Sequence, residues 1–184
     1  MKYVVLSVND NYDYLYFTPL TCWAWSQFGW NPIIFFHGQE SDLTRLALLH
    51  PKNQCRILPL DQNGYRSDTI TQVSRLYAAC IQDGYLLTGD IDMIPLSDHW
   101  KENNEITIYG NDLTGGRYYP MCYIGMPSYC WKDIMGLYFE NYNALIKRDL
   151  DAIPSAKGTK FDDYWYIDQN LITERINNSK NQLH

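Results

Sequence analysis

With 184 residues, 15 Lys or Arg against 21 Asp or Glu and no basic block, the chain has a net charge of −6, which excludes a protein built to grip nucleic-acid backbones. Its five cysteines (Cys22, Cys55, Cys80, Cys122, Cys130) are odd in number and unclustered, which argues against a disulfide framework or a zinc site and fits a reducing compartment. No apolar run reaches the length of a membrane span and no basic-then-apolar leader opens the chain. The expectation is therefore one cytoplasmic domain over residues 1–184, large enough to bury about two thirds of its unfolded surface.

Residues 3–8 form a near-continuous apolar run, the pattern of a strand covered on both faces of a parallel sheet, and Asn9-Asp10-Asn11 breaks it. Residues 14–28 read as a helix, imperfect at Pro19 and stopped by Gly29. Ile33-Ile34-Phe35-Phe36 is a second buried strand. Ile57-Leu58-Pro59-Leu60 is a shorter one whose proline places it at an edge or an end. Asp68 is positioned to cap a helix reaching Gln82, with Ile70, Val73, Tyr77, Cys80 and Ile81 on one apolar stripe and Arg75 off it. Tyr85-Leu86-Leu87 is the next strand.

Beyond it the pattern loosens. Residues 106–109 and 118–126 look like strands joined by a glycine-rich loop at 110–116, either a mobile lid or a plain hairpin connection. Ile134, Leu137, Tyr138, Tyr142 and Leu145 have helical spacing, and residues 162–176 predict a last helix. Strand and helix alternate through the first half, so the fold class is α/β with a mostly parallel central sheet flanked by helices. No phosphate loop of the G-x-x-x-x-G-K-[ST] type and no dinucleotide G-x-G-x-x-G is present, so phosphate binding, if present, must go through a metal. The 16 Tyr and 6 Trp suit surfaces that stack on sugars and bases, although most belong to the core.

Gly89-Asp90-Ile91-Asp92 follows the Tyr85-Leu86-Leu87 strand. If the strand continues, side chains alternate, so Asp90 and Asp92 share a solvent-facing spot while Ile91 returns to the core. Two such carboxylates repel each other and any phosphate, by about 4 kcal/mol per close pair at the effective dielectric near a protein surface. A divalent cation resolves the conflict. Mg²⁺ or Mn²⁺ is typically held by one or two carboxylates plus substrate phosphates. Two alternatives stand beside this reading. A Gly-Asp step can simply end a strand, and aspartate-nucleophile phosphatases also carry D-x-D after an apolar strand. The latter place it on their first strand with Thr or Val two residues after the second Asp, where this chain has Ile94.

Over nearly its whole length the sequence resembles GT-A-type glycosyltransferases, a nucleotide-sugar-dependent family with a Rossmann-like first half. The residues that carry the resemblance are V-V-L-S-V-N-D at 4–10, T-Q-V-S-R-L-Y at 71–77, L-L-T-G-D-I-D-M-I-P-L at 86–96, Y-P-M-C-Y-I-G-M-P at 119–127 and W-Y-I-D-Q-N-L at 165–171. More narrowly, it is similar to the N-terminal glycosyltransferase domain of a multidomain protein of chloroviruses, large DNA viruses of algae. That implies a piece of a longer chain working in host cytoplasm on viral glycoprotein glycans.

The resemblance implies a nucleotide-sugar-binding half over 1–96 and a smaller, mixed acceptor and catalytic half over 97–184. It also implies that Asp92 binds the metal directly, while Asp90 contacts ribose or metal-bound water. Val8, Asn9 and Asp10 would meet the base and ribose, with Tyr12 as a stacking partner. Arg75 would face the donor sugar and diphosphate, and Asp168 and Gln169 would line the donor sugar. Retaining members add a late His ligand, for which this chain offers only His184. Asp162-Asp163 resembles the acidic motif of inverting members, so both stereochemical outcomes stay open.

The expected activity is a metal-dependent transfer of a hexose or 6-deoxyhexose from a UDP-sugar to a glycan hydroxyl. A sugar-nucleotide pyrophosphorylase is the enzymatic alternative, although such enzymes usually open with a Gly-rich basic loop that is missing after the first strand. A catalytically silent carbohydrate-binding domain is the non-enzymatic one.

Overall fold

The computed structural model describes residues 1–39, 56–61, 64–110, 117–138, 141–158 and 160–181. Among these, six strands form one mixed sheet in the order β3-β2-β1-β4-β6-β5. β1 (Lys2–Asn9) lies centrally, parallel to β2 (Asn31–His37) on one side and to β4 (Tyr85–Thr88) on the other. β3 (Arg56–Pro59) extends the parallel part at the edge, where the missing N–H of Pro59 costs no ladder bond. β6 (Ile124–Pro127) runs antiparallel to β4, and β5 (Thr107–Ile108) antiparallel to β6. Gly125 sits opposite Leu87, and a Cβ on it would come within 2.4 Å of the Tyr85 hydroxyl, so glycine is what lets this pairing close.

The apolar run of β1 is buried on both faces because helices cover both. Val4, Leu6 and Val8 pack into a cluster with Trp25, Trp30, Ile34 and Leu87, whereas Val5 packs with Phe35, Leu76, Leu86 and Met126. The split follows the two-residue period of the strand. The first cluster is covered by α2 (Thr18–Gln27). Where the sequence predicts one imperfect helix over 14–28, there are two, α1 (Tyr12–Leu15) and α2. Pro19 falls in the first turn of α2, where a missing N–H is harmless, and the Asn11 side chain caps α1 by accepting from Asp13 N. Gly29, in the left-handed region at φ 74°, follows the end of α2 as predicted.

The other face is covered by α3 (Ser67–Ser74) and a 3-10 turn over Arg75–Cys80, which replace the predicted single helix 68–82. Asp68 stands in the first turn of α3 rather than capping it. In the second half, the predicted strand 118–126 shortens to β6. The residues before it are held by Thr88 instead of a ladder: its Oγ1 donates to Met121 O (2.6 Å) and accepts from Ile124 N (3.0 Å), and its carbonyl oxygen accepts from Tyr123 N (2.8 Å).

The helical spacing from Ile134 to Leu145 belongs to two helices, α4 (Ser128–Met135) and α5 (Tyr142–Asp151). Gly136 ends α4 in the left-handed region (φ 66°), and the Asn141 side chain caps α5. The last predicted helix is α6 (Phe161–Tyr164) followed by α7 (Ile167–Asn181). Residues 111–116 of the predicted glycine-rich loop, Cys55 and His184 lie outside the described residues, as do the side chains of Asp162 and Asp163. No helix among the described residues is long and apolar enough to cross a membrane, and the described cysteines are free thiols.

Candidate functional site

β1 leads to β2 on one side and has β4 on its other, so a crevice forms beyond the strand carboxyl ends where the connections diverge. It holds a cleft of about 250 Å³. The ladder between β1 and β4 reaches Thr88, after which Gly89 N donates to Val5 O (3.0 Å) and the chain turns, with Met93 N donating to Asp90 O (3.3 Å). Asp90-Ile91-Asp92 is thus a turn at the strand end, not the extended strand that the alternation assumed. The three side chains still part as expected. Ile91 is buried and its carbonyl accepts from Thr21 Oγ1 (2.6 Å), which pins the turn to α2, while Asp90 and Asp92 both line the cleft.

Arg75, the first residue of the 3-10 turn, is only 6% exposed and engaged on several sides. Its Nε donates to Gln72 O (3.2 Å), Nη1 to Gly89 O (3.1 Å) and to Asp90 Oδ1, and Nη2 to Asp168 Oδ2 (2.9 Å). Lying off the apolar stripe places it in the cleft, not on a solvated helix face. Asp168, 2% exposed in the first turn of α7, also accepts from Gln169 N through Oδ1 (2.8 Å). One buried guanidinium therefore joins two carboxylates that no secondary structure brings together: Asp90 lies 15 positions along the chain from Arg75 and Asp168 lies 93.

Burial opposes the charge on Arg75, yet the two carboxylates outweigh it and raise its pKa. Burial likewise pushes the Asp168 carboxyl up, against the pull of Arg75 and the Gln169 amide. Cys122 lines the same cleft, and burial together with Asp90 raises its thiol pKa, which keeps it protonated and a poor nucleophile.

The structure brings Val8, Asn9, Arg75, Asp90, Asp92, Asp168 and Gln169 to the cleft. The Asn9 amide is already committed. Its Oδ1 accepts from Asn11 N (3.2 Å) and its Nδ2 donates to Ser67 Oγ (3.2 Å), which also lies 2.9 Å from His37 Nδ1. Asp10 and Tyr12 are not brought to the cleft. Asp10 turns its Oδ2 to the Gln39 amide (3.1 Å), and Tyr12 opens α1 at 58% exposure while Tyr14 takes the cleft position. Sequence reasoning missed Ser7, Tyr14, Asp68, Thr71, Gln72 and Trp165, which also line it. A signal was present for three of them: Asp68, Thr71, Gln72 and Arg75 recur at helical spacing as a polar stripe on α3, opposite Ile70 and Val73.

Electrostatically, four carboxylates (Asp68, Asp90, Asp92, Asp168) line the cleft against one guanidinium, Arg75. That balance disfavours an unescorted diphosphate and favours a cation. Asp68 is partly neutralised by Arg66, whose Nη2 lies 3.0 Å from Oδ2. Among the described residues no group of three or more His, Cys, Asp or Glu side chains converges, so Asp92 and the outward part of Asp90 offer an incomplete, all-oxygen set. Such a set fits Mg²⁺ or Mn²⁺, whose remaining positions are filled by water and substrate oxygens.

No family model matches the sequence, and no curated protein matches it. Among solved structures, the chain is similar to the galactosyltransferase LgtC in complex with donor and acceptor sugar analogues, at 17% identity and a TM-score of 0.48, covering 92% of this chain and 68% of that one. It is also similar to the glycosyltransferase GlyE of Streptococcus pneumoniae TIGR4, at 12% identity and a TM-score of 0.49, covering 95% of this chain and 44% of that one.

Proposed function

We propose that the protein is a metal-dependent GT-A-type glycosyltransferase that moves a hexose or 6-deoxyhexose from a UDP-sugar to a glycan hydroxyl. The observation that carries the reading is the cluster Asp90-Arg75-Asp168, with Asp92 beside it, in a crevice at the carboxyl ends of parallel strands. Asp92 and Asp90 hold Mn²⁺ or Mg²⁺. Bound there, the cation would supply Lewis-acid stabilisation to a departing diphosphate. Val8 and the β1 end receive the nucleoside, with the Asn9 side chain holding that end in place and Tyr14 at its margin. Arg75 orients Asp90 and Asp168. Asp168 and Gln169 face the sugar, and residues 97–184 carry the acceptor side. The sequence resemblance to a chlorovirus glycosyltransferase domain is what supports a viral glycoprotein as the carrier of the glycan and a longer chain around this domain.

Titration calorimetry with UDP tests this reading. Binding in the presence of Mn²⁺ that disappears on adding EDTA supports it. Equal affinity with and without metal, or no binding of UDP and UDP-sugars at all, overturns it.

A further inference from the structure

Gln72 presents a polar group that the protein leaves unanswered. Its backbone is fixed, because its carbonyl oxygen accepts from Arg75 Nε (3.2 Å). Its side chain lines the cleft, yet the carboxamide Oε1 is buried with no hydrogen-bond partner among the described residues. The other members of the polar stripe are satisfied. Thr71 Oγ1 donates to Ser67 O (2.6 Å), Asp68 accepts from Arg66 and from Thr69 N, and Arg75 is held by its carboxylates.

Buried polar atoms are nearly always paired, so an orphan inside a cleft calls for completion by whatever the cleft binds. The missing group is an O–H or N–H. A phosphate oxygen cannot supply it at neutral pH, because it carries no proton to give. A neutral hydroxyl suits the site, since it donates to the amide oxygen and accepts from the amide nitrogen whichever way the carboxamide is turned.

We infer that Gln72 is a specificity-determining residue that receives a ring hydroxyl of the transferred sugar, in the cleft that it lines together with Arg75, Asp168 and Gln169. This rests on the glycosyltransferase reading and deepens it by assigning sugar recognition to α3 as well as to α7. A site that hydrogen-bonds a substrate hydroxyl discriminates strongly against ligands without it, because its own polar group is then stranded.

The test compares wild type with Gln72→Leu, in Mn²⁺, by calorimetry with UDP, UDP-glucose, UDP-galactose and UDP-rhamnose, together with melting of the ligand-free proteins. For whichever UDP-sugar the wild type binds most tightly, Gln72→Leu lowers affinity by about tenfold or more, while UDP itself changes by less than about twofold. The ligand-free variant melts at the same temperature or about 2–4 °C higher, because an orphaned polar atom has been removed. A residue with a merely structural role would instead lower the melting temperature and weaken UDP and UDP-sugar alike.

Equal losses for UDP and UDP-sugar, or no loss for either, overturn the inference. If Gln72→Leu does not fold, Gln72→Asn, which shortens the reach, carries the same comparison. Wild type binding none of these ligands overturns the glycosyltransferase reading and the inference with it, whereas tight wild-type binding with an unchanged ratio of sugar to UDP affinity overturns the inference alone.

Discussion

Arg75 is the residue on which most of the site depends, because it is the cation shared by Asp90 and the buried Asp168. Deleting it strands at least one buried carboxylate, a change that typically costs about 3–5 kcal/mol. Arg75→Ala is therefore expected to lower the melting temperature by on the order of 10 °C in a chain of this size. Arg75→Lys keeps the charge but not the fork that reaches both carboxylates, so it should recover only part of that loss. A melt of each variant checks this, and an Arg75→Ala protein as stable as wild type would show that the pairing contributes nothing.

Asp92 is different. It is exposed and no ion pair engages it among the described residues. Asp92→Asn should leave the melting temperature within about 2 °C while reducing turnover by roughly a hundredfold or more through loss of a charged metal ligand. For Asp168→Asn, transfer should fall while metal-dependent UDP affinity stays within about threefold, a split that separates sugar positioning from the metal shell. A matching loss of rate and UDP affinity would move Asp168 to the metal side.

Among the elements, β1, β2 and α3 meet at the end of the cleft proposed for the nucleoside. Asn9 at the end of β1 and His37 at the end of β2 meet at Ser67, the first residue of α3, so three elements are tied at one hydroxyl. His37 is buried and burial pushes its imidazole below the ordinary 6.5, against the pull of Asp10. A lowered folded pKa means that the unfolded chain binds the proton more readily. The associated stability is present above about 6.5 and is lost as pH falls toward the folded value. His37→Gln, which cannot take up that proton, should show a smaller drop in melting temperature between about pH 7.5 and pH 5.5 than wild type does. Identical slopes in a pH series of melts would sink the assignment.

α4 illustrates a purely local dependence. Gly136 ends it in the left-handed region, so Gly136→Ala should destabilise the fold by about 1 kcal/mol through backbone strain, even though the nearest atom to an added Cβ, Arg148 Nη1, is 4.0 Å away.

For the whole molecule, the cleft joins the two halves of the sequence: Asp90 and Arg75 come from the first, Asp168 and Gln169 from the second. A ligand that binds only the folded form stabilises it in proportion to the logarithm of its concentration over its dissociation constant, by about 2.7 kcal/mol at a hundredfold excess. UDP with Mn²⁺ should thus raise the melting temperature of the whole domain by roughly 5–10 °C, and EDTA should abolish the rise.

The amino-acid sequence by itself determined the central sheet. The buried run of β1, the edge proline of β3 and the strand before Gly89 are local patterns of burial and turn chemistry, which depend on neighbours close in sequence. It also marked Asp90 and Asp92 as a paired acidic site beyond a buried strand, whereas for Arg75 the pattern gave only a place off the apolar stripe and the family resemblance gave the donor side. Only the tertiary structure decided how they combine. Nothing local to Arg75 specifies a partner 93 residues away, and the turn at Asp90 is pinned where the Ile91 carbonyl meets Thr21 on α2. The division of the second half into shorter elements was decided the same way: Thr88 satisfies the backbone that a longer strand would have paired, and Tyr14 rather than Tyr12 reaches the cleft because Leu15 of the same short helix is drawn into the core. Burial period and turn residues act over a few positions, whereas the pairing of buried charge is settled only when distant segments have packed.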